Sequence, residues 1–166
     1  MVRTLSRCYG SNKRAEKPVR LVFSGVRPGS PTSELLQNLT GFENWGSEVV
    51  RIEEEPYFRL FPQSQLVYIS PDGADLADEF DGEDAVFIIG GIVDGNRLTG
   101  KSRLKADLQG IPSVRLPIQE QVELKGLSAI LAANQVLDIV LARRQGQNWV
   151  EALRGQIPDR KQRRQL

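Results

Sequence analysis

The chain contains no histidine, so proton transfer near neutral pH falls to carboxylates, lysine, tyrosine or the single Cys8. The carboxylate best placed for such work is Asp94. It follows the apolar run Val86-Phe87-Ile88-Ile89 and the pair Gly90-Gly91, and Gly95 comes directly after it. An apolar run ending in glycines reads as a buried strand entering a loop, and ligands of open α/β sheets sit beyond the carboxyl ends of strands. Glycine there lets backbone groups approach a ligand with no Cβ in the way. Two further strand ends share this character, Ser70-Pro71-Asp72-Gly73 and Leu116-Pro117-Ile118. Taken singly, Gly90-Gly91 reads first as a tight turn or packing device and Asp72-Gly73 as a turn pair.

Other chemistries fit poorly. The glycines at 90, 91 and 95 do not have the G-x-G-x-x-G spacing of a dinucleotide loop, and no glycine-rich loop leads to a phosphate-binding lysine. Asp72, Asp75, Asp78, Glu79 and Asp81 lack the order of a calcium loop. They read as a solvated surface, and no metal is expected.

The elements that must position these loops alternate between strand and helix. Strands are expected at 19–24, 48–52, 65–70, 86–89 and 113–116, where short apolar runs are bounded by turn residues. Ser30-Pro31 opens a short helix over 32–39, and Pro56 to Leu60 reads as one helical turn. Residues 99–109 form a helix stopped at Gly110. The longest periodic segment, 127–144, places Leu127, Ile130, Leu131, Leu137, Val140 and Leu141 on one side, and 149–153 adds a further helix. Alternation of this kind predicts an α/β fold with a mainly parallel sheet.

At 166 residues, 40% hydrophobic and 26% charged, the chain can bury a core as one domain. It is read as a single domain over 1–157 and a basic tail over 158–166. No run approaches the roughly 20 apolar residues of a membrane helix, no signal peptide is evident, and one cysteine precludes an internal disulfide. The net charge of +1 conceals two basic ends around an acidic middle. Residues 1–20 carry six basic side chains against Glu16, while residues 34–84 carry thirteen acidic ones against Arg51 and Arg59. Basic ends that meet on one face would suit a polyanion; the same charges also serve plain solubility.

In order, several segments carry a family likeness: Cys8-Tyr9-Gly10-Ser11-Asn12-Lys13-Arg14-Ala15, Leu66-Val67-Tyr68-Ile69-Ser70-Pro71-Asp72 and Ile88-Ile89-Gly90-Gly91-Ile92-Val93-Asp94. They continue in Arg115-Leu116-Pro117-Ile118, in Ile130-Leu131-Ala132-Ala133-Asn134-Gln135-Val136-Leu137-Asp138-Ile139, in Trp149-Val150-Glu151-Ala152-Leu153 and in Ile157-Pro158-Asp159-Arg160-Lys161. The chain resembles the eukaryotic tRNA methyltransferases that modify N1 of the purine at the ninth nucleotide, and most of all a vertebrate-type paralogue with a Tyr-Gly-Ser-Asn motif. The resemblance implies the SPOUT class, a mainly parallel sheet with helices on both faces and a C-terminal trefoil knot. Against the family pattern the chain begins within the first long helix, without the preceding strand, and is shortened over 119–128.

The same resemblance implies S-adenosylmethionine as cofactor, held by Pro71, Gly91, Gly95, Asn96, Arg97, Leu98, Thr99, Arg103, Pro117, Ile130, Leu131 and Ala132. Asn134 and Gln135 match a motif beside that site, or serve packing. Asp94 falls on the family's proposed base, which either takes the N1 proton of guanine or orients the purine. Lys101, Arg103, Lys105 and Arg160, Lys161, Arg163 and Arg164 are the candidate phosphate contacts of a tRNA partner. The family pattern implies a monomer, nuclear or cytoplasmic, with a mitochondrial location also open. Two alternatives share these residues: a catalytically silent RNA-binding or scaffolding protein of the same fold, and an unrelated small-molecule-binding α/β protein.

Overall fold

In the computed structural model the described residues are 1–46, 48–78, 80, 84–90, 100–124 and 129–157. The chain opens on α1 (Val2–Arg14), followed by β1 (Leu21–Ser24), α2 (Pro31–Gln37), β2 (Val50–Glu53), the single turn α3 (Tyr57–Leu60) and β3 (Leu66–Ile69). Then come β4 (Asp75–Leu76), β5 (Val86–Ile89), α4 (Lys101–Leu108), β6 (Ser113–Arg115), α5 (Ile118–Gln121), α6 (Ala133–Arg144) and α7 (Trp149–Arg154). The pairing is parallel throughout the described residues: β1 with β2, and a four-stranded sheet in the order β4-β6-β3-β5.

Alternation along the central strands puts helices on both faces. Leu66 and Tyr68 of β3 and Ile88 of β5 turn toward Ala106 of α4 and Ile111. Ile69 of β3 faces the other way, joining Leu116, Val136, Ile139, Val140 and Leu153 of the larger core under α6 and α7, with Phe87 and Ile89 packed against it. A third cluster seats Cys8 of α1 against Leu137 and Leu141 of α6, flanked by Leu21, Phe23 and Ile89.

Local chemistry explains most boundaries. Ser30 Oγ accepts from the Ser33 amide at 3.2 Å and Pro31 takes the first helical position, so α2 starts where expected. Gly110, at φ 62°, ends the α4 region in the left-handed conformation glycine tolerates.

α1, a helix of 13 residues, agrees with the family likeness, by which the chain begins within a long helix. Two elements depart from the sequence expectation. Residues 75–76 form β4 beside β6 within the acidic stretch read as solvated surface; both remain exposed, and the backbone of β6 rather than apolar burial holds them. The long helix begins at Ala133 rather than Leu127, because Gln135 Oε1 accepts from the Ala132 amide at 2.9 Å and closes its first turn there. Ile130 and Leu131 therefore lie ahead of that helix. Residues 91–99, 125–128 and 158–166 lie outside the described residues, and with them the expected knot and the basic tail.

Candidate functional site

A cavity of about 380 Å³ opens at the carboxyl ends of β3, β5 and β6. Ser70, Pro71 and Asp72 line it from the end of β3, Ile89 and Gly90 from β5, and Arg115, Leu116 and Ile118 from β6 and its sequel. Ala129, Ile130 and Leu131 close it from the segment before α6, with Ala133 and Val136 behind them, while Gly100, Ser102 and Gln119 supply the remaining wall. The lining is thus apolar along Ile69, Ile89, Leu116, Ile118, Leu131 and Val136, with a few hydroxyl, carboxylate, amide and guanidinium groups among them. That mixture and that size belong to pockets for small organic ligands, which run from roughly 300 to 1,000 Å³.

The polar groups around the rim are braced. Arg103 Nη1 donates to the Asp72 carbonyl at 2.9 Å, joining α4 to the loop after β3. Arg115 Nη2 lies 2.6 Å from Glu120 Oε1; this hydrogen bond raises the guanidinium pKa and lowers that of the carboxyl. Gln135 Nε2 donates to the Gln156 carbonyl at 2.8 Å, so α6 and the end of α7 are tied below the cavity.

Of the expected cofactor residues, Pro71, Ile130 and Leu131 line the cavity directly. Pro117 is buried between Leu116 and Ile118, which do line it, and Ala132 sits between Leu131 and Ala133. Arg103 stands outside the lining and acts through Asp72. Gly91, Asp94, Gly95, Asn96, Arg97, Leu98 and Thr99 lie outside the described residues; Gly90 and Gly100, on either side of them, both line the cavity. Gln135 serves the helix start and the tie to Gln156, which answers its packing reading. Lys101 and Lys105 are exposed, Lys105 Nζ resting 5.2 Å from the centroid of the Tyr57 ring. Arg160, Lys161, Arg163 and Arg164 lie outside the described residues.

Strand-end reasoning found the Ser70–Asp72, Gly90 and Leu116–Ile118 parts of the lining. It missed Ser102, Gln119 and Ala129, which lie in helical or irregular segments that only the fold brings to the strand ends.

A family profile described as tRNA (guanine(9)-N(1))-methyltransferase TRM10/TRM10A matches residues 1–162. The chain belongs to the TRM10 family. Among relatives of this family, the chain is 36% identical over 156 residues to tRNA methyltransferase 10 homolog B of Mus musculus, covering 90% of this chain and 48% of the mouse protein. It is 31% identical over 160 residues to the tRNA (guanine(9)-N(1))-methyltransferase Trmt10A of Drosophila melanogaster, covering 96% and 49% of the two chains. The chain therefore spans about half the length of the curated relatives it matches, and the vertebrate-type likeness accords with the homolog B relatives. A solved structure of full-length spTrm10 in complex with SAH superposes with a TM-score of 0.80 at 31% identity, covering 95% of this chain and 83% of that one. The TRM10 likeness thus extends from sequence motifs to the α/β SPOUT arrangement of strands and helices.

Proposed function

We propose that this chain is a tRNA N1-purine methyltransferase that uses S-adenosylmethionine on the ninth nucleotide, with guanine as its base and adenine as the alternative. The observation that carries the reading is the cavity where three parallel strands end, lined by Pro71, Ile130 and Leu131 in a chain of the TRM10 family. The relative solved with SAH supports the same choice of cofactor.

The residues present suit such a ligand. Aliphatic walls from Ile69, Leu116, Ile118 and Leu131 can cover an adenosyl group, while Ser70, Asp72, Ser102, Arg115 and Gln119 offer donors and acceptors to a ribose and an amino-acid end. When bound, S-adenosylmethionine supplies a methyl group on a sulfonium, already electrophilic. The protein's share is to hold the purine N1 in line with that methyl and, for guanine, whose N1 carries a proton at neutral pH, to remove that proton. Asp94 is the proposed acceptor of that proton, with a contribution of about 10²–10⁴-fold. Lys101 and Lys105, both exposed on α4, are the proposed phosphate contacts together with Arg160, Lys161, Arg163 and Arg164. The chain is proposed to act as a monomer.

Incubation with labelled S-adenosylmethionine and a tRNA transcript, followed by nucleoside mass spectrometry, tests the reading. N1-methylguanosine at the ninth nucleotide is the expected product. Cofactor and tRNA binding without any methylated purine would overturn the enzyme in favour of the silent RNA-binding alternative. Failure to bind S-adenosylmethionine would remove the enzyme and leave the silent RNA-binding alternative, which does not require the cofactor.

A further inference from the structure

Behind the cavity, on the opposite face of the sheet, lies a buried hydroxyl that the proposed chemistry does not use. Tyr68, the third residue of β3, is 3% exposed and packs with Leu66, Ile88, Ala106 and Ile111. A phenylalanine would satisfy those neighbours equally well, and an unpaired buried hydroxyl is costly. The phenol instead lies beside the side chain of Ser102, the second residue of α4, within reach of a hydrogen bond. Burial raises its pKa, so it remains protonated at neutral pH.

Both oxygens converge on Gly90. A Cβ at that position would stand 3.2 Å from Ser102 Oγ and 3.4 Å from the Tyr68 hydroxyl. Gly90 follows the last residue of β5, and Ser102 lies in the first turn of α4, so the two hydroxyls meet where the chain leaves the sheet and where it re-enters a helix. Gly90 and Ser102 line the cavity, whereas Tyr68 does not touch it. The far end of α4 has its own tyrosine, since the Tyr57 hydroxyl is hydrogen-bonded to Gln109.

We infer that Tyr68 is a positioning residue for the cofactor cavity: through Ser102 it fixes the start of α4 against Gly90 and so sets the spacing of two of the cavity's walls. The inference rests on the proposed reading only for the identity of the ligand. The geometry itself is independent of it.

The test combines Tyr68→Phe, Ser102→Ala, Ser102→Thr, the Tyr68→Phe/Ser102→Ala pair and, as a control at the other end of α4, Tyr57→Phe. Calorimetry with S-adenosylmethionine is expected to show Tyr68→Phe weakening affinity about five- to tenfold, the scale of one buried hydrogen bond. Tyr57→Phe is expected to retain wild-type affinity, and Ser102→Thr, which keeps the hydroxyl, to bind more tightly than Ser102→Ala. The double variant is expected to bind no more weakly than the poorer single one, because the two groups act as one unit. Wild-type affinity in Tyr68→Phe, or additive losses in the pair, would overturn the inference. Amide exchange at Gly90 and residues 100–102 reads the same tie without ligand. It is expected to accelerate in Tyr68→Phe but not in Tyr57→Phe, and unchanged exchange would also overturn the inference. A wild-type chain that does not bind S-adenosylmethionine would sink the proposed function, and the tie would then be judged by exchange alone.

Discussion

Arg103 Nη1 donates to the carbonyl of Asp72 at 2.9 Å, while Arg103 Nε lies 3.6 Å from Asp107 Oδ2 one turn further along α4. The guanidinium thus bridges α4 to the loop after β3, whose residue Asp72 lines the cavity. Arg103→Ala is expected to raise the KM for S-adenosylmethionine about three- to tenfold, through loss of a charge-assisted hydrogen bond. Arg103→Lys, which keeps the charge without the planar fork, should recover only part of that loss. Steady-state kinetics at fixed tRNA measures the effect. A phosphate-contact role predicts a different result, with cofactor KM unchanged and the salt dependence of tRNA affinity reduced by about one ion.

The motif Tyr9-Gly10-Ser11-Asn12 carried part of the family likeness, and its physical role is a clasp. Asn12 is fully buried; its Nδ2 donates to the Val19 carbonyl at 2.7 Å and its Oδ1 accepts from the Val19 amide at 2.8 Å. Tyr9 stacks on Trp45 with centroids 4.4 Å apart and donates to the Asn44 carbonyl at 3.0 Å. Asn12→Ala is expected to cost about 2–4 kcal/mol, because both backbone groups of Val19 lose their partner. Asn12→Asp should also destabilise, since a carboxylate oxygen would face the Val19 carbonyl. Urea denaturation of both variants checks this.

Particular residues show what was readable in the sequence and what was not. Leu66–Ile69 and Val86–Ile89 were legible as strands because buried parallel strands are continuous apolar runs between turn residues. Asp75-Leu76 was not, because so short a strand is specified by the partner backbone of β6 rather than by its own side chains. The start of α6 was misplaced for a related reason. Leu127, Ile130 and Leu131 share the helical period, but the boundary is set by one polar contact between Gln135 and Ala132. In the cavity, Pro71 and Leu131 were within reach of a family likeness. Ser102, Gln119 and Ala129 owe their place to long-range packing that no local pattern announces.

Gly73 is a packing glycine at the cavity's edge. A Cβ there would lie 2.3 Å from the Val114 carbonyl carbon, 2.5 Å from its oxygen and 2.6 Å from the Arg115 nitrogen, all backbone atoms of β6. No rotamer change relieves such a clash. Gly73→Ala is expected to destabilise the chain by about 2–3 kcal/mol and to displace Asp72 from Arg115 across the cavity rim. Thermal melts and cofactor affinity should fall together, whereas a variant with wild-type stability would contradict this packing.

Cys8 is buried between α1 and α6, and burial, aided by the nearby Asp138 charge, pushes its thiol up to about 11 from the ordinary 9.0. The folded chain therefore holds the thiol proton more tightly than the unfolded one. The resulting stability, roughly 2–3 kcal/mol, is fully present below about pH 9 and is lost as pH rises through about 11. Cys8→Ala is expected to flatten that alkaline loss while costing packing at neutral pH. Iodoacetamide at pH 7.5 should label Cys8 only at the rate of global unfolding. Rapid labelling of the folded chain would show that the α1–α6 contact opens on its own.

Asp94 admits a test that separates a base from an orienting group. If its carboxylate takes the N1 proton, Asp94→Asn should lower kcat about 10²–10⁴-fold near neutral pH, with little change in cofactor affinity. The amide cannot accept that proton but can still hydrogen-bond the purine. The deficit should therefore shrink as pH rises toward the range where guanine N1 gives up its proton unaided. An orienting role predicts a smaller deficit that stays constant with pH, because alignment does not depend on the N1 proton. Single-turnover methylation of a tRNA transcript from pH 6 to pH 9 distinguishes the two slopes. A variant with unchanged kcat at neutral pH would exclude Asp94 from both roles.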